Sequence, residues 1–397
     1  MKYDFTTILD RTGKDSIAAN FIPFDAEVED GFSVIPMWVA DMSFPTAPAA
    51  LRGIEERLAF PNFGYFSDPD EYYDAIIRWH KMHKGVDDLK KEYIGYENGV
   101  LGGVSSAVTA FTCPGEKILL HSPTYIGFTH VLDDLGRTAV HSPLVRDEEG
   151  VWRMDYENMD RLLKENDIHF AIFCSPHNPC GRVWEKWEIE RAMEVYRAND
   201  CIVVSDEIWS DIVMPGHTHI PTQTVSEDAK ARTIAFYAPS KTFSLAGLVG
   251  SYHVVYNKTL RDRLMKQSTS THYNDSNVLS IHSLISAFTD EGAEWVDEML
   301  SVIDGNLEYA CDYIRKNFEG VRVMRPEGTY MLYLDCGEWC EKHGVGIGDL
   351  IGRGIKKGVI WQDGEQFLMK DTIRMNFALP FSLAAEALDR LKKYAFI

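Results

Sequence analysis

Few features that would mark a special environment occur in this chain. Its seven cysteines (Cys113, Cys174, Cys180, Cys201, Cys311, Cys336 and Cys340) are odd in number and irregularly spaced, with no C-x-x-C. A disulfide framework is therefore not expected, and a reduced, cytoplasmic protein is. No apolar run approaches the roughly 18 residues that span a bilayer. The polar start Met1-Lys2-Tyr3-Asp4-Phe5 is unlike a secretory leader. Positive charge is in deficit, with 40 Lys and Arg against 60 Asp and Glu and a formal net charge of −20. Such a surface repels phosphate backbones, which argues against nucleic-acid binding. Internal repeats and Ser/Gly linkers are missing, as is a zinc pattern. His80/His83 and His217/His219 lack cysteine or carboxylate partners at the usual spacing, so no metal is assigned. Gly352-Arg353-Gly354 falls short of a dinucleotide fingerprint.

The chain does have an ordinary globular composition, 45% hydrophobic and 25% charged over 397 residues. At about 150 residues per domain this suggests two to three domains. Lys117–Leu120, Phe170–Phe173, Cys201–Val204 and Thr233–Phe236 are short apolar runs that read as buried strands. Helix-like stretches such as 155–164 and 185–197 lie between them. Alternation of this kind predicts an α/β fold with a mostly parallel central sheet sandwiched by helices. From about Glu291 a long helical pattern, 295–318, precedes strand-like stretches at 321–324, 329–334 and 373–377. The expected organisation is an N-terminal arm (1–48), a large domain (49–290) and a smaller α+β domain (291–397), with which the arm is expected to pack.

Ligands of such sheets bind beyond the carboxyl ends of the strands. After the run at 170–173 comes Ser175-Pro176-His177-Asn178-Pro179, where Asn178 either shapes a turn or offers an amide to a ligand oxygen. After the run at 201–204 comes Ser205-Asp206-Glu207-Ile208; Asp206 reads as a helix cap or ion-pair member, or as a carboxylate holding a cationic ring nitrogen. After the run at 233–236 comes Pro239-Ser240-Lys241-Thr242-Phe243. Lysines are usually solvated, but these flanks are small and apolar, and a buried lysine can act as nucleophile or base. Asparagine, aspartate and lysine after three successive strand-like runs suit pyridoxal 5′-phosphate. Lysine would form an imine with it, aspartate would keep its ring nitrogen protonated, and asparagine would bond its ring oxygen.

These motifs carry a resemblance. With Trp38-Val39-Ala40-Asp41-Met42-Ser43-Phe44, Phe63-Gly64-Tyr65, Pro326-Glu327-Gly328-Thr329-Tyr330 and Arg374-Met375-Asn376-Phe377-Ala378-Leu379-Pro380, the chain resembles the fold-type I pyridoxal-phosphate enzymes of the class I/II aminotransferase superfamily. Within them it is most similar to the MalY/PatB-type cystathionine β-lyases. The resemblance implies that Val100 and Leu101, at the start of a helix after Glu97-Asn98-Gly99, cradle the phosphate together with Ser240. It implies that Tyr125 stacks on the cofactor ring and that Tyr65 reaches the phosphate of a second subunit in a homodimer with composite sites. Arg374 would bind the substrate carboxylate, with Asn178 and Ala40 also on the substrate side and Lys241 as the catalytic base. A salt bridge is the alternative role for Arg374, a glycine turn for 97–103, and a core position for Tyr125. The resemblance breaks at two places. Trp209 stands where that branch often has histidine and aminotransferases tyrosine, and Phe367-Leu368-Met369-Lys370 replaces a glycine-containing stretch. The activity implied is carbon–sulfur β-elimination from L-cystathionine or related cysteine conjugates. The alternatives are an aminotransferase, which shares the Asn178/Asp206/Lys241 set, and a cofactor-binding regulatory protein without turnover.

Overall fold

Apolar runs without alternation suit strands whose two faces are both covered. The computed structural model describes residues 1–397, apart from the side chain of Asp25. Its main sheet contains β1 (Ile94–Asn98), β2 (Lys117–Ser122), β3 (Thr138–Pro143), β4 (Phe170–Cys174), β5 (Ile202–Asp206), β6 (Thr233–Tyr237) and β7 (Gly250–Val254). The strand order is β1-β7-β6-β5-β4-β2-β3. Strand β7 is antiparallel to both its neighbours and the remaining pairs are parallel. Every residue of β4 and β6 is buried.

The flanking helices include α1 (Asp70–Lys84), α2 (Val100–Phe111), α3 (Ile126–Asp134), α4 (Tyr156–Asn166) and α5 (Lys186–Ala198). Helices α4 and α5 each begin one residue later than the hydrophobic pattern suggested, because the preceding residues are caps. The Asp155 carboxylate accepts from the Asn158 N–H, and Glu185 forms a reciprocal capping box with Glu188. Helix α2 packs Val100, Val104, Ala107 and Val108 into a cluster with Ile118, Ile234 and Phe236. Full burial of such side chains contributes roughly 1.5–3 kcal/mol each, which holds the start of α2 firmly on the sheet.

A second sheet comprises β8 (Arg322–Val323), β9 (Met331–Asp335), β10 (Gln362–Asp363) and β11 (Thr372–Asn376), in the order β8-β9-β11-β10 and antiparallel throughout. Strand β9 starts two residues later than the apolar pattern, since Thr329 has a positive φ of 66° and its hydroxyl accepts from the Met331 N–H at 3.1 Å. Residues Ile35–Pro36 of the arm pair in parallel with Val359–Ile360.

The chain divides into two compact units: Thr46–His177 with Arg182–Val296, and Met1–Pro45 with Asn178–Gly181 and Asp297–Ile397. The division is thus not linear. The turn Asn178–Gly181 groups with the smaller unit, where the N–H groups of Glu327 and Gly328 both donate to the Gly181 carbonyl at 2.9 Å. Among the described residues, no helix is long and apolar enough to cross a membrane.

Candidate active site

In the larger unit, β5 ends on Asp206 and β6 leads into the short helix Pro239–Thr242, opened by a proline whose missing N–H costs nothing at a first helical turn. Asp206 is 4% exposed, and its carboxylate accepts from the Ile208 N–H at 3.0 Å. Burial pushes its pKa up from 3.8 to about 7; the Ile208 bond and the Lys241 charge pull it back only partly. A cation placed at this carboxylate would relieve the penalty. The next residue, Glu207, is fully buried, and its carboxylate accepts from the Ser205 and Tyr237 hydroxyls, the Thr222 N–H and His219 Nε2. Burial alone would raise its pKa, but these partners hold it below the usual range. The network ties the end of β5 to the end of β6, and so links the strands that carry Asp206 and Lys241.

The Lys241 ammonium lies 5.6 Å from the centroid of the Trp209 indole, a cation–π distance. Trp209 is 2% exposed. The departure noted at this position therefore presents an aromatic ring to the lysine.

Helix α2 begins after Gly99, whose φ of 77° suits glycine, and no side chain caps it. The first-turn N–H groups of Val100, Leu101 and Gly102 have no carbonyl one turn back to accept them. With the helix dipole they favour an anion. Gly103 lets this turn approach β6, since a Cβ there would come within 2.3 Å of the Phe236 ring. The Tyr125 ring lies over Gly127, where an added Cβ would meet both Tyr125 at 2.5 Å and Leu101 at 2.9 Å. It meets Phe128 edge-on, with centroids 5.4 Å apart. The larger unit thus brings the Val100/Leu101 turn and Tyr125 together. Tyr65 is fully exposed in the segment after helix Pro48–Leu58.

In the smaller unit the Arg374 guanidinium is built into a polar cluster on β11. It donates to Asn178 Oδ1 at 2.9 Å, to the Trp38 carbonyl at 3.1 Å and to Gln362 Oε1. Its plane lies 4.3 Å from the centroid of Phe367. The unusual stretch at 367–370 is explained locally, because Phe367 supports the arginine and Leu368 takes a left-handed φ of 66°, where a glycine would be at ease. The Asn376 amide donates to the carbonyls of Val39 and Asp41 at 2.8 Å each, bracketing Ala40. Amide and carbonyl oxygens thus orient the guanidinium on β11. Gln362 was not singled out from the sequence, and Phe367 and Asn376 were read only as members of longer stretches with no role of their own, since each gains meaning only from its neighbours.

Residues 33–391 match the family of aminotransferase class I and II. The chain belongs to that family. Among its relatives, cystathionine beta-lyase PatB of Bacillus subtilis (strain 168) is 30% identical over 361 residues, covering 90% of this chain and 92% of PatB. The PLP-bound C-S lyase from Staphylococcus hominis superposes with a TM-score of 0.90 at 28% identity, over 100% of this chain and 99% of that one. A PLP-bound chain from Clostridium difficile 630, provisionally named an aminotransferase, gives a TM-score of 0.91 at 31% identity, over 98% and 99%. The aminotransferase class I/II assignment agrees with the motifs read from the sequence, and so does the fold-type I architecture. Among the described residues, no group of three His, Cys, Asp or Glu side chains is placed to hold a metal ion.

Proposed function

We propose that this protein is a pyridoxal-phosphate-dependent carbon–sulfur β-lyase, cleaving L-cystathionine or a related cysteine conjugate to a thiol, pyruvate and ammonia. The observation that carries the reaction type is the 30% identity to cystathionine beta-lyase PatB over nine tenths of both chains.

The residues fit the cofactor. The uncapped start of α2 suits a phosphate, and the buried Asp206 carboxylate, only partly relieved by the Lys241 charge, suits a ring-nitrogen cation. Lys241 lies at the next strand end. When bound, pyridoxal phosphate supplies an electron sink for the substrate's Cα. The Val100 and Leu101 N–H groups and the Ser240 hydroxyl would hold the phosphate, Tyr125 would cover the ring, and Asn178 would donate to the ring oxygen. Asp206 would keep the proton on the ring nitrogen. Lys241 would anchor the cofactor through its side-chain nitrogen and, once free, would take the proton from the substrate's Cα. Trp209 offers one N–H donor and no proton transfer. Arg374 takes the substrate carboxylate through a planar fork, with Ala40 beside it. Loss of the Cβ–S bond would release the thiolate, and water would hydrolyse the remaining three-carbon enamine to pyruvate and ammonia.

The working enzyme is a cytoplasmic homodimer in which Tyr65 completes the neighbouring subunit's phosphate site. The exposure of Tyr65 in a single chain supports this reading. Transamination is the second reading, favoured by the name of the Clostridium difficile neighbour. The test is a thiol assay with cystathionine run beside a keto-acid-dependent transamination assay. Thiol and pyruvate forming together without added keto acid is the expected result. Turnover that requires a keto acid and releases no thiol makes the protein an aminotransferase.

A further inference from the structure

A buried ion pair lies directly behind the lysine-bearing turn, and the chemistry assigned above does not use it. Lys84, the last residue of α1, pairs with Asp211 at 2.6 Å; their side chains are 2% and 9% exposed. The Lys84 ammonium also donates to the Ser210 hydroxyl at 2.7 Å. Asp211 in turn accepts from the Trp79 indole N–H at 3.0 Å and from the Thr242 hydroxyl at 3.0 Å. Thr242 is fully buried and is the residue after Lys241. Trp79 is wedged against Phe288, stacked at 4.6 Å, and Phe243 at 5.8 Å.

Removing two charges from water costs several kcal/mol per ion. A well-packed apolar pair is often as stable, so an ion pair in this setting contributes little stability that leucines would not. What it does supply is direction. Asp211 has three donors, Trp79 and Lys84 from α1 and Thr242 from the lysine-bearing turn, and it fixes the orientation of the Thr242 hydroxyl. Helix Pro239–Thr242 has only four residues, too few to be rigid by itself.

We propose that Asp211, charged and held by Lys84 and Trp79, is a positioning residue that sets the direction of Lys241 by gripping Thr242. The proposal rests on the reading of Lys241 as the cofactor-anchoring base. Lys241 must leave the cofactor and then meet the Cα proton, so its backbone has to stay fixed while its side chain changes partner. The Thr242–Asp211 bond holds the backbone at the adjacent residue. The Lys84–Asp211 pair keeps that acceptor anionic, and so the bond charge-assisted.

The test uses the full-length enzyme loaded with pyridoxal phosphate. Thr242→Val removes the hydroxyl while keeping the volume and leaves Lys84 and Asp211 paired. Thr242→Ser restores the hydroxyl, and Thr242→Ala replaces the valine variant should that chain not fold. A misplacement near 1 Å can cost up to about 100-fold in rate, and a roughly 10-fold loss of kcat is expected for Thr242→Val with KM for cystathionine little changed. The lysine-bound cofactor's absorbance band should shift or weaken, and borohydride should fix it onto Lys241 more slowly; Thr242→Ser should recover most of both. A purely structural role would lower the unfolding temperature and leave the band, the trapping rate and kcat of the folded fraction alone; that result overturns the proposal. Equal impairment in Thr242→Ser and Thr242→Val does so too, because a retained hydroxyl then fails to restore the lysine's position. A wild-type chain with no adduct on Lys241 overturns the cofactor reading and this proposal with it, whereas a normal wild type with an unaffected Thr242→Val overturns this proposal alone.

Discussion

Asp206 should make the cofactor-free protein lose stability as the pH rises through neutrality. Burial raises its pKa to about 7 in the folded chain from an ordinary 3.8. Between those values the folded state keeps a proton that the unfolded chain has released. The contribution of this group is therefore full below about pH 4 and is lost as the pH climbs to about 7. At about 1.4 kcal/mol per tenfold change, the loss amounts to roughly 4 kcal/mol. His80, His121 and His177 act in the opposite sense. Burial lowers their pKa values to about 3, 3 and 4, so the stability they contribute disappears as the pH falls. Comparison with Asp206→Asn, which retains those histidines and Glu207, cancels their effect. Urea unfolding of both cofactor-free proteins from about pH 4.5 to about pH 7.5 should show the wild type losing most of that 4 kcal/mol relative to the variant, at unchanged m-value. Added pyridoxal phosphate should flatten the slope, because a ring-nitrogen cation favours the carboxylate. A difference between the two proteins that is flat with pH would refute the account of Asp206 as a buried acid awaiting a cation.

Lys241→Ala should still take up pyridoxal phosphate through the start of α2 but yield no adduct on borohydride treatment; peptide mapping that finds the wild-type adduct on another lysine would contradict the assignment. Arg374→Ala removes charge-assisted contacts of roughly 1.5–3 kcal/mol, so kcat/KM should fall about 10- to 150-fold for every L-amino acid substrate while the cofactor spectrum stays intact. Arg374→Lys should recover only part, since an ammonium cannot reproduce the fork, and a loss confined to one substrate would speak against carboxylate binding. Val249, a β-branched residue held at φ 64° with its side chain against Gly99, carries strain of order 1–3 kcal/mol; Val249→Gly should raise the urea midpoint by about 1 kcal/mol of stability after the added unfolded-state freedom is counted, and a lower midpoint would show that its packing outweighs the strain.

Strands β4, β5 and β6 were legible because both faces of each are covered, which leaves uninterrupted apolar runs in the sequence. Strands β1 and β7 were not, for a physical reason specific to their side chains. Both carry buried polar groups that pair across the ladder, where His253 Nδ1 meets Glu97 at 2.9 Å and Ser251 donates to the Glu97 carbonyl at 2.9 Å, and Ser268 of the helix Lys258–Thr271 donates to the Glu97 carboxylate at 3.0 Å. A pattern that equates polar with exposed reads such strands as loops. Strand β10 is two polar residues long, Gln362 and Asp363, and pairs with β11; no local signal distinguishes it.

The same distinction separates the site residues that could be read from those that could not. Asp206 and Lys241 stand out because each interrupts an apolar context, so the anomaly is visible within a few residues. Lys84 and Asp211 are 127 residues apart, and each has an innocent local explanation: a lysine at a helix C-terminus complements the dipole, and an aspartate in a loop caps or turns. A buried charge is costly in proportion to its isolation, so its meaning depends on the partner, and partners distant in sequence emerge only from the fold. Arg374 shows both sides of this. Its place in an apolar strand marked it as purposeful, but the amide and carbonyl oxygens of Asn178, Trp38 and Gln362 that orient its guanidinium emerge only in the fold. The residues that would do chemistry were found by their conflict with local context, and the residues that aim them are in no conflict until the chain has folded.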